Sequence, residues 1–339
     1  VRAMEIRKVQ KTGGSSYVIT LPKEWIEAGN VKKNDPLGVV TQPDGTLLIT
    51  RDIRDEFIVR EKKIDVTPIS DPDYLFRILV SSYISGFTIL TLTCRDRFQP
   101  FVRMRVREFT GMAIGPQVIE ETNNTIVLKD LLNPGEMPFE NTLKRMFVIV
   151  RSMHEDAVTA LELNDGALSS DVVQRDNDVD RLHWLVARQA NMILANAALA
   201  RRMGVTPSLV LHYFTVSRII ERVGDHAVRI CEHVDKIRSV EFDRGILPGL
   251  RKISKHSVRI FDKSLASFFA ADLKESNINI EEVQKLEEEC EEVAGLVLEN
   301  ETTVAVSLRN IAESIRRSGE YAGDISETVM NYLVMTNKD

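Results

Sequence analysis

The run Val216-Ser217-Arg218-Ile219-Ile220-Glu221-Arg222-Val223-Gly224-Asp225-His226-Ala227-Val228-Arg229-Ile230-Cys231-Glu232-His233-Val234-Asp235-Lys236-Ile237 decides how this chain folds. Its apolar positions Val216, Ile220, Val223, Ala227, Ile230, Val234 and Ile237 advance by alternating steps of four and three, one continuous seam on an α-helix. Upstream, Val172, Val179, Val186, Ile193 and Ala200 recur every seven residues on what reads as the preceding helix. Gly204 with Pro207, and Pro248-Gly249, punctuate the run. Six helices are predicted, at 140–163, 171–203, 208–239, 248–270, 279–300 and 303–336. Short connections between long helices make antiparallel neighbours.

The six helices read as a repeat of three. Setting Arg218–Val234 against Glu313–Val329, an offset of 95, matches Ile220/Ile315, Arg222/Arg317, Gly224/Gly319, Ala227/Ala322, Ile230/Ile325, Glu232/Glu327 and Val234/Val329. The seam recurs at Ile315, Ser318, Ala322, Ile325, Val329 and Tyr332. Two stacked three-helix bundles, at 140–240 and 246–339, follow. Gly224 and Gly319, just off the seam, predict close approach of a neighbouring backbone.

The remaining chain is different in kind. Residues 1–54 read as four short strands and one helical turn: Met4–Gln10, Tyr17–Leu21, a turn opened by Pro22, then Pro36–Thr41 and Thr46–Thr50 around Pro43-Asp44-Gly45. So small a core gains by sharing strands with a second copy. Residues 55–139 alternate strand and helix as a small α/β unit, without a phosphate-cradling glycine loop or metal-ligand spacing, and Asn133-Pro134-Gly135 with Pro138 marks its end. The predicted fold class is therefore multidomain and mainly α, with a small β-hairpin module in front.

Composition narrows the function. Hydrophobic residues at 43% and charged residues at 28% fit a globular chain, not a disordered one. Three cysteines, Cys94, Cys231 and Cys290, lack CxxC spacing, so a thiolate zinc site or disulfide framework is not expected and a reducing cytoplasm is. No uncharged apolar stretch is long enough to span a bilayer. The net charge of −6 hides a gradient: residues 1–55 carry 9 Lys/Arg against 7 Asp/Glu, whereas residues 140–339 carry 25 against 32. A basic front on an acidic body suggests a polyanion reader joined to something else, or simply scattered surface charge.

Two carboxylate pairs stand out. Asp176 and Asp180, like Glu221 and Asp225, are four apart, so each pair shares a helix face and can reach a common cation. By spacing alone they read as a solvated outward face braced by Arg181, Arg218 and Arg222. His226 follows Asp225 but points about 100° away on a helix. His154, His183, His212, His233 and His256 lack ligand-like spacing, and no nucleophile elbow, Ser/His/Asp set or phosphate loop is present. An enzyme is not expected.

Arg218–Ala227, with Ile230 and Glu232, resembles the motif of PhoU, the phosphate-uptake regulator, and Asp171–Leu182 looks like that family's second-helix motif. The resemblance covers roughly residues 140–339. It implies metal, divalent or ferric, at Asp176, Asp180, Glu221 and Asp225. Arg316 and Glu320 stand where Glu221 and Asp225 stand in the first repeat, so no metal site is transferred to the second. Residues 3–52 resemble the AbrB/MazE/SpoVT swapped-hairpin family through Arg7–Gln10, Gly14–Trp25, Val31–Asp35 and Asp44–Ile49. That likeness implies half of a swapped-hairpin β-barrel completed by a second chain, hence an obligate homodimer, with Arg7, Lys8, Lys11 and Lys23 against DNA. The order of hairpin, α/β insert and doubled helical repeat looks like archaeal PhoU-domain proteins.

The expectation is a cytoplasmic homodimeric transcriptional regulator of phosphate uptake, which binds DNA through its front module and responds to metal or a partner through its bundles. The alternative is an adaptor that docks on a phosphate transporter ATPase or sensor kinase, its hairpins used only for dimerisation. An antitoxin-like role would need a toxin partner, and a metal-dependent hydrolase is disfavoured by outward-facing carboxylates.

Overall fold

The computed structural model describes residues 5–41, 45–51, 59–297 and 302–336. The chain divides into two compact units, Val1–Ile58 and Val59–Asp339.

The first unit holds two antiparallel hairpins and one helical turn. Strands β1 (Gln10–Thr12) and β2 (Ser16–Val18) pair with Lys11 opposite Tyr17, while β3 (Gly38–Thr41) and β4 (Leu47–Thr50) form a separate sheet with Val39 opposite Ile49. The first hairpin is shorter than the sequence suggests and sits nearer its turn: β1 shares only Gln10 with the expected Met4–Gln10 strand, Gly13 and Gly14, both at positive φ, make the turn, and pairing has ended by Val18. Helix α1 (Lys23–Ala28) starts after Pro22, as expected. Met4 and the Pro43-Asp44 part of the predicted turn lie outside the described residues.

In the second unit a four-stranded sheet of order β5-β6-β8-β7 joins β5 (Glu61–Asp65), β6 (Ile89–Thr93), β7 (Pro116–Glu121) and β8 (Thr125–Asp130). The β5–β6 pair is parallel and the others antiparallel. Helices α2 (Pro72–Ile84) and α3 (Pro100–Met112) bury Leu75, Leu79, Val102, Val106 and Phe109 against Leu90, Leu92, Ile126 and Leu128.

The long helices are α4 (Phe139–Leu163), α5 (Gly166–Ala195), α7 (Pro207–Ile237), α8 (Leu247–Ala270), α9 (Leu273–Val297) and α10 (Thr302–Met335). Every seam residue of α7 named above is buried, as are Ile315, Ser318, Ala322, Ile325 and Val329 of α10. Tyr332 is only half-buried, and Leu333 takes the core position. One hydrophobic core runs through both bundles, with α7 against α10 between them. The predicted 171–203 helix starts five residues early and breaks at Asn196, whose extended backbone ends α5. Its side chain accepts from the Ala198 and Leu199 amides to start a short α6 (Ala197–Arg202), so Ala200 belongs to a different helix from Val172.

Backbone landmarks fix the repeat more tightly than the motif does. Asn164 and Ala271, both left-handed, end α4 and α8, and Asp165 and Asp272 then cap α5 and α9; each pair is 107 residues apart. The α7/α10 offset is 95, so the first repeat is twelve residues longer at the break holding α6. Asp176 therefore corresponds to Val283, and Asp180 to Glu287.

At both glycines the neighbours are side chains rather than the expected backbone, and the approach is tight only at Gly319. A Cβ on Gly224 would meet Val150 Cγ2 at 3.4 Å and Asp176 Oδ1 at 3.5 Å, whereas one on Gly319 would collide with Leu286 Cδ2.

The α/β layer is joined to the first bundle by polar groups of α5. Arg188, 1% exposed, ion-pairs at 2.7 Å with Asp130, 5% exposed. It also donates to the Tyr83 and Phe87 carbonyls. One residue on, Gln189 donates to the Pro134 and Met137 carbonyls at 2.8 and 2.7 Å. Two further on, Asn191 donates to Ile84. Nothing in the periodicity singled out Arg188; its only sequence signal is a lone cation in the apolar stretch Leu182–Ile193.

Candidate functional site: carboxylates between α5 and α7

Asp176 and Asp180 lie on α5 and Glu221 and Asp225 on α7, and these two helices pack together. The four carboxylates are half-buried, which corrects the outward, solvated face expected from the heptad. Asp176 lies against Gly224 in the joint, and its Oδ1 is buried without a hydrogen-bond partner.

Their electrostatics follow from that placement. Burial, then the neighbouring Asp225, pushes the Asp176 carboxyl up to about 6. Burial, then Asp176, Glu221 and Asp225, pushes Asp180 up to about 7. Glu221 is raised by burial and Asp225. Burial also raises Asp225, against the pull of Arg229, Arg222 and Arg218. Like charges have thus been gathered where solvent screens them incompletely. Of the expected braces, Arg181 ion-pairs with Asp178 rather than with the cluster, and Arg222 lies over the Tyr321 ring.

All four residues offer hard oxygen ligands, the kind a divalent or ferric cation takes. With its orphaned Asp176 oxygen and mutual repulsion, the donor set fits a cation chemically. Among the described residues, however, no three His, Cys, Asp or Glu side chains already converge as a cage.

The second bundle answers the same problem differently. Arg316, at the position of Glu221, donates to both Glu313 oxygens at 2.7 and 2.9 Å and ion-pairs with Glu320, the counterpart of Asp225. Burial raises the Glu320 carboxyl, Arg316 draws it down, and Glu287, the counterpart of Asp180, pushes it up through a hydrogen bond. A guanidinium carried by the chain thus stands among these carboxylates.

The histidines divide. His154, His183 and His226 are buried and held down to about 4, first by desolvation. His256 lies between two carboxylates, with Nδ1 at 2.9 Å from Glu289 and Nε2 at 3.2 Å from Glu282, contacts that the sequence spacing did not suggest.

In the first unit Arg7, Lys8, Lys11 and Lys23 are all exposed. Arg7 ion-pairs with Glu5, Lys11 projects from β1, and Lys23 opens α1 at 3.5 Å from Glu27. No described residue of this unit is buried, and Ile6, Tyr17, Val39 and Leu47 are each more than 60% exposed.

The PhoU domain family matches residues 143–234, which span the first bundle. The family described as antidote-toxin recognition MazE, bacterial antitoxin, matches residues 10–57. Among solved structures, PhoU from Pseudomonas aeruginosa is similar at 16% identity and a TM-score of 0.52, covering 58% of this chain and 96% of that one. The phosphate transport system regulatory protein PhoU from Streptococcus pneumoniae is similar at 14% identity and a TM-score of 0.49, covering 59% and 94%. No curated protein matches the chain. Family and fold agree, and the chain carries a PhoU domain preceded by a MazE-type domain.

Proposed function

We propose that this chain is a homodimeric regulator of phosphate uptake that binds DNA through its MazE-type module and takes a cation on the α5/α7 carboxylates. The observation that carries the reading is the first unit's want of a core: no described residue is buried, while apolar strand residues are exposed together with Arg7, Lys8, Lys11 and Lys23. Isolated two-stranded hairpins are marginal in water. A second copy laid on those strands supplies the missing core and leaves Arg7, Lys8, Lys11 and Lys23 for phosphates, with a salt-dependent affinity from counterion release.

In the first bundle Asp176, Asp180, Glu221 and Asp225 would hold the ion. Bound there, it would supply positive charge against the mutual repulsion of the four carboxylates. On the same helix, Arg188 lies eight residues beyond Asp180, about 12 Å along the axis at the standard helical rise, and is fixed to the α/β layer by Asp130. Docking on a transporter ATPase or sensor kinase is not needed for this part of the reading.

The test is a titration of the full chain against duplex DNA at two salt concentrations, with sedimentation to establish the number of copies. Dimers whose affinity falls steeply with salt, and falls further in K8A and K11A, support the reading. A dimer without DNA affinity at low salt would leave the adaptor role instead, and binding of a toxin protein by the hairpins would favour the antitoxin role. No described helix is long and apolar enough to cross a membrane.

A further inference from the structure

The α4–α8 end of the bundles reverses the charge of its surroundings. Residues 244–261 contain Arg244, Arg251, Lys252, Lys255 and Arg259 and no Asp or Glu, within a region of 25 basic and 32 acidic residues. Where α4 ends and α8 begins, a groove of about 670 Å³ is lined by Glu162, Leu163, Arg244, Leu247, Pro248, Arg251, Lys252 and Lys255.

Its charges are not equivalent. Arg244 turns to the Leu161 and Glu162 carbonyls and closes the end of α4. Arg251 ion-pairs with Glu162, and Lys252 reaches Glu289 at 3.2 Å. Lys255 is exposed and has no carboxylate partner among the described residues. Between these cations lies apolar surface: Leu163 is 68% exposed, with Leu247 and Pro248 beside it.

We infer that this groove is a docking site for an acidic, amphipathic peptide segment of a partner protein. The apolar surface takes aliphatic side chains, Lys255 takes a carboxylate, and Arg251 can exchange Glu162 for a second one. A free phosphate would leave Leu163, Leu247 and Pro248 unused. Because Asn164-Asp165 leads directly into α5, the groove sits at the end of α5 opposite the Arg188 joint. A partner can therefore occupy it without touching the α/β layer. The inference does not depend on a cation at the carboxylate site or on DNA binding.

The experiment is fluorescence anisotropy with the full chain and a labelled peptide of repeating Glu-Glu-Leu-Leu units, with a Lys-Lys-Leu-Leu peptide, inorganic phosphate and phosphatidylglycerol vesicles as separate arms. Expected is saturable binding of the acidic peptide alone, weakened roughly tenfold in K255E by like-charge repulsion, and several-fold in L163S. Both positions are exposed, and unchanged circular dichroism and melting temperature confirm folding. An acidic peptide that does not bind at low salt, or that binds K255E and L163S as tightly as wild type, overturns the proposal. So does competition by millimolar phosphate, or preference for the vesicles.

Discussion

Asp176 Oδ1 lies 3.5 Å from the point where a Cβ on Gly224 would sit, buried and without a hydrogen-bond partner. A polar atom left so costs about 1–3 kcal/mol, and a structure keeps such an atom where something else acts on it. Here three further carboxylates share the joint.

The pH dependence separates this cluster from the histidines. Asp176 and Asp180 are raised to about 6 and 7 from an ordinary value of 3.8. The folded chain therefore holds protons that the unfolded chain has lost, and their contribution falls as pH rises from about 4 through 7. His154, His183 and His226, held near 4 against 6.5, bind protons more readily when unfolded, so their contribution falls as pH drops from about 6.5 toward 4. D176N/D180N should match wild type near pH 4 and exceed it at pH 8. Adding divalent cation at pH 8 should raise the wild-type melting temperature and leave the variant's unchanged.

R316E should lower the melting temperature of cation-free protein, because it removes the guanidinium from between Glu313 and Glu320 and adds a negative charge. Part of that loss should return on adding divalent cation, by more than wild type gains. A variant as stable as wild type would show that Arg316 is surface decoration.

At the α/β joint, R188A should cost about 3–5 kcal/mol in chemical denaturation, the usual penalty for leaving one buried charge unpaired. The double variant R188M/D130N should be closer to wild type than R188A, since neither charge then remains. Additive losses would mean that Arg188 acts through Tyr83 and Phe87 rather than through Asp130.

The two repeat glycines should respond in opposite ways. G319A drives a methyl into Leu286 and should cost about 1–3 kcal/mol by overpacking. G224A meets Val150 at an ordinary 3.4 Å, and removal of a helical glycine offsets the contact to within about 1 kcal/mol. Urea midpoints of the two variants decide this.

The seam Val216–Ile237 carried the fold because a four-three spacing on so long a helix admits one buried stripe, and every member is buried. Gly224 and Gly319 were legible for the same reason: small residues beside a seam mean close packing. Less was legible about the site. Periodicity around one helix put Glu221 and Asp225 outside, but the position of α5 beside α7 half-buries them, and that depends on two helices at once. The register of Asp180 with Glu287 appeared only through the paired caps Asp165 and Asp272, a local signal overlooked beside the longer motif. Asn196 breaks a helix that its heptad continued, because an extended asparagine that caps the next turn outweighs the apolar pattern. Arg188 showed only as a lone cation between Leu182 and Ile193, and its role was hidden because its partner Asp130 is 58 residues away in another layer.

The most direct measurement is the number of divalent or ferric ions retained per chain after dialysis, in wild type, D225A and R316E. The account predicts bound ion in wild type, its loss in D225A, and retention of the first-bundle ion in R316E. Equal ion content in wild type and D225A would contradict it.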